Sequence, residues 1–353
     1  MIFKFFRLLP PEVAHNLTIK LLKTGITKFY KKNNYNDSTL QQFIWNLEFR
    51  NPLGIAAGFD KNAEIIDPLL DLGFGFVELG TVTPEPQIGN KKPRVFRLIN
   101  DSALINHLGF NNDGIKKIEK RLSYRHLNRY SSQGIIGINI GKNSFTEENS
   151  KDYILCLKAL GKHVNYIVIN ISSPNTPGLR NLQNRENLEN LIISIKKEKK
   201  LDEKISNKPL LIKISPDLNN EEKRDIALTS LAQGIDGIII SNTTLSRPKS
   251  LISNKKEEIG GLSGKPLYLI STILLKEMYA LTGGKIPLIG VGGISSGREA
   301  YEKIKAGASL LQLYTGLIYD GPQIIKKINI ELKNLLKTDG YNNISQAIGT
   351  DVQ

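Results

Sequence analysis

This chain predicts a closed, parallel (β/α)8 barrel, a TIM barrel, with an N-terminal two-helix extension, and three observations carry the prediction. Eight short apolar runs punctuate the sequence, at residues 53–57, 75–79, 135–140, 166–171, 209–214, 236–240, 286–291 and 309–314. Most are continuous rather than alternating, the pattern of strands covered on both faces. Stretches of helical periodicity follow them, clearest at 145–160, 185–200, 221–233, 266–280, 298–306 and 322–336, so strand and helix alternate eight times. Polar residues come after nearly every run, whereas a doubly wound open sheet of the same units would gather them at one switch point.

In chain order, residues 1–32 read as two short helices broken at Pro10-Pro11, with Pro11 suited to the first helical position. Val13, Leu17 and Leu21 fall at i, i+4 and i+8. Lys4, Arg7, Lys20, Lys23, Lys28, Lys31 and Lys32 oppose Glu12 alone, and Phe3, Phe5, Phe6, Leu8 and Leu9 add an apolar edge. Two readings fit: a helix pair packed on the barrel, or an amphipathic segment that dips into a membrane surface. Residues 44–49 and 52–55 read as a hairpin closing the barrel's bottom. Gly161, Gly234 and Gly307 follow helix ends as C-terminal stops. The expected division is an extension over 1–36 and a catalytic barrel over 37–353.

Composition narrows the function. The 353 residues are 40% hydrophobic, enough for a sizeable core. The single cysteine, Cys156, excludes an intramolecular disulfide and suits a reducing compartment; among Ile154, Leu155 and Leu157 it reads as a buried thiol. His15, His107, His126 and His163 are scattered without metal-ligand spacing, so no metal site is expected. The net charge of +14 comes from lysines spread along the whole chain, including the lysine-rich 196–208 stretch, and reads as compositional bias. Nucleic-acid binding would need a basic patch. No apolar run approaches the roughly 18 residues that span a bilayer, and the N-terminus is too interrupted for a secretory signal, so a soluble or peripheral protein is expected.

In such a barrel the site lies where the strands end. The first run is followed by Ala57, Gly58, Asp60 and Lys61, the second by Gly80 and Thr81, and the third carries Asn139 and Lys142. The fourth ends in NISSPNTPGLR, which crowds Asn170, Ser173, Asn175 and Thr176 into a turn stiffened by Pro174 and Pro177. Lys213 sits inside the fifth run, Ser241, Asn242 and Thr243 end the sixth, Gly292-Gly293 the seventh, and Tyr314, Thr315 and Gly316 the eighth. The last two fit either tight βα turns or the phosphate cradle usual for this fold. Gly141-Lys142 and Gly264-Lys265 are not Walker loops, because Asn143 and Pro266 stand where Ser or Thr is needed.

A lysine mid-strand either escapes outward or is desolvated beside an anion. A phosphate-bearing cofactor whose ring becomes anionic on reduction supplies that anion, and amides at Asn139 and Asn170 suit a flat heterocycle. Flavin mononucleotide meets both conditions. Rigid donors and acceptors at Asn170, Ser173 and Asn175, joined by Asn106, Asn242 and Thr243, face a planar polar ligand, and Lys61 offers charge to a carboxylate. Ser173 has no neighbouring His or Asp in sequence to activate it, so as a base it needs a proton already acidified by a carbonyl and by hydride loss next door.

The motifs NPLGIAAGFDKN, GTVTPEPQIGNKKPRVFRL, INHLGFNNDG, GINIGKN, NISSPNTPGLR, IKISPD, ISNTT, GGLSGKP, GVGGI and LYTGL make the chain similar to class 2 dihydroorotate dehydrogenases, over its whole length. That resemblance implies oxidation of (S)-dihydroorotate to orotate in pyrimidine biosynthesis, with FMN as cofactor and ubiquinone or a similar membrane quinone as acceptor. It assigns FMN binding to Ala57, Gly58, Phe59, Asp60, Lys61, Thr81, Asn139, Asn170, Lys213, Ser241, Gly264, Gly293, Tyr314 and Thr315. Substrate binding falls to Lys61, Asn106, His107, Leu108, Gly109, Phe110, Asn170, Asn175, Asn242 and Thr243, the base is Ser173, and His15 and Arg97 match the quinone tunnel. His107 stands at a variable position. The implied protein is a monomer, peripheral on the cytoplasmic side of the inner cell membrane. Two alternatives stand beside it: a flavin oxidoreductase of the same family using fumarate or NAD, against which the Ser base and the helical extension argue, and a barrel that only binds phosphate ligands.

Overall fold

The eight apolar runs fold as parallel strands in a computed structural model that describes residues 8–29, 37–127 and 134–352. They are β1 (Leu53–Ile55), β2 (Phe76–Val82), β3 (Ile135–Ile140), β4 (Tyr166–Asn170), β5 (Leu210–Ile214), β6 (Gly237–Ile240), β7 (Leu288–Val291) and β8 (Ala308–Leu313). Each pairs with the next, and β8 returns to β1 with Leu311 opposite Leu53, closing the barrel.

Continuous apolar runs are explained by two cores. Side chains alternate across a strand with a period of two. Ile167 and Ile169, Ile212 and Ile214, and Ile238 and Ile240 face outward and pack with helix residues such as Ile192, Ile226 and Leu275. Phe76, Tyr166, Val168, Leu211, Ile239, Ile289 and Leu310 face inward and fill the barrel. The Tyr166 ring needs Gly137 beside it: a Cβ there would lie 2.0 Å from Tyr166 Cζ.

The helices run at Arg185–Lys200, Asn220–Ala232, Tyr268–Thr282, Gly297–Lys305 and Gln323–Thr338, within about two residues of expectation. That expected from residue 145 begins at Asn149, because the Asp152 carboxylate accepts from Asn143 N at 2.7 Å and Thr146 Oγ1 at 2.7 Å and folds the preceding residues into a turn. Gly234 and Gly307 have φ of 59° and 114° and end their helices, but Gly161 has φ of −57° and leads into a 3-10 turn.

The bottom hairpin differs from expectation. Gln42–Ile44 pairs with Leu47–Phe49 through a two-residue turn in which Trp45 and Asn46 take φ of 56° and 58°. Residues 53–55 are not its second arm but β1. Trp45 packs against Phe49 and Tyr166 and donates Nε1–H to Asp236 O at 2.6 Å, so the hairpin does close the barrel from below.

A three-stranded antiparallel sheet not anticipated from sequence joins Val95–Leu98, Ala103–Asn106 and Gly261–Gly264. The N-terminal helix, Pro11–Lys23, lies against it, burying Ala14, Ile19 and Leu22. Arg94 donates to Glu12 Oε1 at 2.9 and 3.2 Å, and Arg97 donates to Leu9 O at 2.5 Å, fixing the helix in place. Val13, Leu17 and Leu21 are 51%, 42% and 38% exposed, so the apolar row read from sequence faces outward. The earlier helix of the expected pair, with Phe3, Lys4, Phe5, Phe6 and Arg7, lies largely outside the described residues, as do Lys31 and Lys32 at the end of the later one. Among those described, no helix is long and apolar enough to cross a membrane.

Candidate active site

Two residues beyond the apolar floor, the inward face of several strands turns polar. Phe76 is followed by Glu78, Gly137 by Asn139, Val168 by Asn170, Leu211 by Lys213, Ile239 by Ser241 and Leu310 by Gln312. The same alternation that fills the barrel below therefore builds a polar layer above it.

Above this layer opens a cavity of about 530 Å³, walled by the strand ends, the three-stranded sheet and the N-terminal helix. On its wall stand Ala57, Gly58, Phe59, Asp60, Lys61, Thr81, Asn170, Ser173, Lys213, Ser241, Gly264, Gly293, Tyr314 and Thr315. So do Asn106, Leu108, Gly109, Phe110, Asn175, Asn242 and Thr243, and also His15 and Arg97. Asn139 and His107 are not on the wall. Asn139 lies beneath, where its Oδ1 accepts from Thr81 Oγ1 at 2.6 Å and Asn170 Nδ2 at 3.1 Å. His107 uses its backbone N–H on Arg94 O at 2.7 Å. Lys142 donates to Thr146 O, away from the cavity.

The loop after β4 is held from several sides. Asn170 Oδ1 accepts from Ser172 N and Oγ, and Ser172 Oγ accepts from Asn242 Nδ2 at 3.0 Å. Asn175 Nδ2 donates to Asn106 O at 3.0 Å and Asn106 Oδ1 at 3.1 Å, which ties the loop to the roof sheet. Ser173 Oγ accepts from Asn175 N at 3.3 Å; among the described residues no His or carboxylate hydrogen-bonds it.

Charge at the site is set by burial. Lys213 is 6% exposed, and among the described residues its ammonium has no hydrogen-bond or ion-pair partner. Desolvation pushes its pKa down, opposed by the Glu78 charge. Lys61 donates to Gly58 O at 2.8 Å and is pushed down to about 8 by desolvation, with Glu12 pulling the other way. His15 stacks edge-on to Phe59 at 5.3 Å and is pushed down to about 3 by burial and by Lys61, so it is a neutral, apolar-sided ring on the cavity wall. Burial also pushes the Cys156 thiol up, far from this chemistry.

Several wall atoms suit a polar ligand. Asn111 Oδ1, Asn175 Oδ1 and Gln312 Oε1 are buried acceptors with no partner among the described residues, an arrangement that costs free energy unless something occupies the cavity. At another part of the wall, Gly293 has φ of 76°, and a Cβ there would lie 2.4 Å from Tyr268 Cβ. Glycine leaves the backbone there open beside Gly264, Thr315 and Gly316, where Ser263 Oγ meets Thr315 Oγ1 at 2.9 Å. The first N–H groups of the helix starting at Thr315 have no intrahelical acceptor, which suits a phosphate. Sequence reasoning missed Glu78, Asn111, Ser263 and Gln312. Glu78 and Gln312 had a signal: each is the next inward position above a core residue.

Known proteins match this arrangement along its whole length. The family described as dihydroorotate dehydrogenase matches residues 39–336. The dihydroorotate dehydrogenase (quinone) of Xanthobacter autotrophicus is 48% identical, covering 99% of this chain and 97% of that protein. The mitochondrial dihydroorotate dehydrogenase (quinone) of Mus musculus is 47% identical, covering 98% and 88%. The crystal structure of ligand-free DHODH from Eimeria tenella superposes with a TM-score of 0.91 at 42% identity, covering 97% of this chain and 99% of that one. With identity this high over both lengths, a shared barrel, and relatives that carry the quinone designation, the chain belongs to the dihydroorotate dehydrogenase family, in its quinone-dependent class.

Proposed function

We propose that this protein oxidises (S)-dihydroorotate to orotate in pyrimidine biosynthesis, using FMN and passing electrons to a membrane quinone. The observation that carries the reading is that Ser173, Lys61 and Lys213 open onto one cavity whose wall includes a glycine cradle. The family is flavin-dependent, and the residues fit FMN in particular: the cradle at Gly264, Gly293, Thr315 and Gly316 suits one phosphate, and Lys213 and Gln312 offer unpartnered groups to a ring. When bound, FMN supplies a two-electron acceptor for hydride.

The chain's own residues do the rest. Asn106, Asn175, Asn242 and Thr243 hold the substrate ring by its polar edge, Lys61 meets its carboxylate, and Ser173 Oγ takes the proton from the carbon beside its carbonyl as its own hydroxyl proton passes to solvent. Lys213 would offer its ammonium to a bound ring and so favour negative charge there. The reading is tested by anaerobic mixing of the purified yellow protein with dihydroorotate, followed by reoxidation with quinone, fumarate or NAD; no bleaching, or reoxidation by fumarate alone, would overturn it.

Two expected results arise here. Lys61 is charged below a pKa of about 8 and neutral above it. Orotate affinity should therefore weaken as pH rises through that value, by up to about tenfold per unit, the slope of one linked proton. In Lys61→Met, calorimetric titration should show weaker binding that does not vary across the same window. Lys213→Ala should lower the flavin's midpoint potential or weaken FMN retention, as read by spectroelectrochemistry; an unchanged potential at full occupancy would remove Lys213 from its role.

The N-terminal segment over 1–36 is the quinone and membrane-docking part of this reading, and 37–353 the catalytic part. Its support is the outward apolar row of Val13, Leu17 and Leu21 on a helix whose other side, through His15 and Ile19, walls the cavity. The protein then acts as a monomer, peripheral on the cytoplasmic face of the inner cell membrane, with His15 and Arg97 beside the quinone's path.

A further inference from the structure

Glu78 is the one carboxylate in the polar layer formed by the six inward positions named above, and it touches neither the cavity nor solvent. Three donors converge on it: Asn139 Nδ2 at 2.9 Å to Oε1, and Gln312 Nε2 at 2.6 Å and Tyr166 OH at 3.3 Å to Oε2. An ionised carboxylate only accepts hydrogen bonds, whereas a side-chain amide accepts at one end and donates at the other. By binding both NH2 groups, Glu78 removes the choice of which way each amide points. Asn139 must present Oδ1 upward, where it collects Thr81 and Asn170. Gln312 must likewise present Oε1, and this atom is buried, on the cavity wall, and without a partner among the described residues.

Thr81 and Asn170 spend their donors on this network, since Asn170 Nδ2 reaches both Asn139 Oδ1 and Thr81 Oγ1. Ser241 Oγ spends its donor on Asn242 O at 2.9 Å. Beside that hydroxyl oxygen, the open positions left by the layer are an acceptor at Gln312 and an ammonium at Lys213. A heterocycle edge that carries an N–H next to a carbonyl complements that pair.

We infer that Glu78 is a positioning residue whose carboxylate locks the Gln312 amide so that Oε1 accepts a ring N–H of the bound flavin. The inference rests on the FMN reading. Glu78→Gln keeps the volume but has one acceptor oxygen and one NH2, so it can hold only one of the two amides and turns a donor on the other. Gln312→Met keeps the length and removes the acceptor.

The test is reconstitution of FMN-depleted full-length protein with FMN, following fluorescence for affinity and the visible absorption band for ring environment, with thermal melting of the FMN-free form as the measure of fold. Each variant should bind FMN roughly tenfold to hundredfold more weakly, the effect of leaving one buried donor without an acceptor, with a shifted absorption band. Because both act through one contact, the double variant should bind about as well as the weaker single variant. A wild-type chain that takes up no FMN would overturn the cofactor reading itself. If the wild type binds FMN and either folded variant matches it in affinity and spectrum, or the two losses add in full, Glu78 only supports the barrel and the inference is wrong. Should Glu78→Gln not fold, Gln312→Met decides alone.

Discussion

Ser173→Ala is expected to keep FMN and orotate binding yet slow bleaching of the flavin by dihydroorotate by about 10²–10⁴-fold, the share of a positioned base. The geometry explains why the loss should stop there. Ser173 is 6% exposed and its Oγ makes one backbone contact, with Asn175 N, so its removal leaves the loop's other bonds intact. Asn175 still reaches Asn106, and Ser172 still links Asn170 to Asn242. Binding and chemistry should thus separate: the dissociation constant for orotate moves little while the rate constant for anaerobic reduction collapses. Ser173→Cys places a more acidic group at the same position and should retain part of the rate, with a pH optimum moved downward. Reduction of Ser173→Ala within a factor of about three of wild type, measured by stopped flow, would transfer the base to another residue.

How much of this was legible beforehand depended on whether a residue's role is local. The eight strands were readable because both faces of each are apolar, and a strand covered twice needs no knowledge of its neighbours. Ser173, Asn170 and Asn175 were readable because a polar cluster stiffened by Pro174 and Pro177 has no packing purpose at a strand end. Glu78 and Gln312 carried a signal that could be used only once the inward face was known. Each is a lone polar residue in an apolar run, and whether it faces the barrel or the helices follows only from parity with Phe76 and Leu310, which point inward.

The roof sheet was hidden for a different reason. Its strands are four residues each, and Gly261 pairs with Asn106 across a long intervening sequence, a contact no periodicity reports. The lysine-rich stretch gained a role only in three dimensions, where Lys196 donates to Gln233 O and Gly234 O and closes a neighbouring helix end. Lys303 is the sharpest case: a surface-looking helical lysine that is 0% exposed, donating to Ser271 Oγ and Thr272 Oγ1 at 2.8 Å.

Changing Val13, Leu17 and Leu21 together to Gln should detach the protein from lipid vesicles while leaving the barrel's chemistry intact. The three side chains are exposed on one side of the helix, whereas Ala14, Ile19 and Leu22 hold its other side to the barrel. Glutamine is a good helix former, so the helix itself should survive. Fully burying a Val or Leu side chain is worth about 1.5–3 kcal/mol. Three residues inserted even halfway contribute roughly 3 kcal/mol, about a hundredfold in partitioning. Binding of the parent chain to anionic vesicles should also weaken with salt, because Lys20 and Lys23 on the same helix add a screened attraction. Turnover with a long-tailed quinone in vesicles should fall in step with binding. Turnover with a small soluble dye, and anaerobic reduction by dihydroorotate, should stay near the parent values, since no cavity acceptor is touched. A chain starting near Asn36 should show the same split more strongly, but it also strips Glu12 from the buried Arg94 and so mixes docking with stability. The triple variant does not. If it remains folded and uses long-tailed quinone in vesicles as fast as the parent, the outward apolar row is not the route by which quinone reaches the flavin.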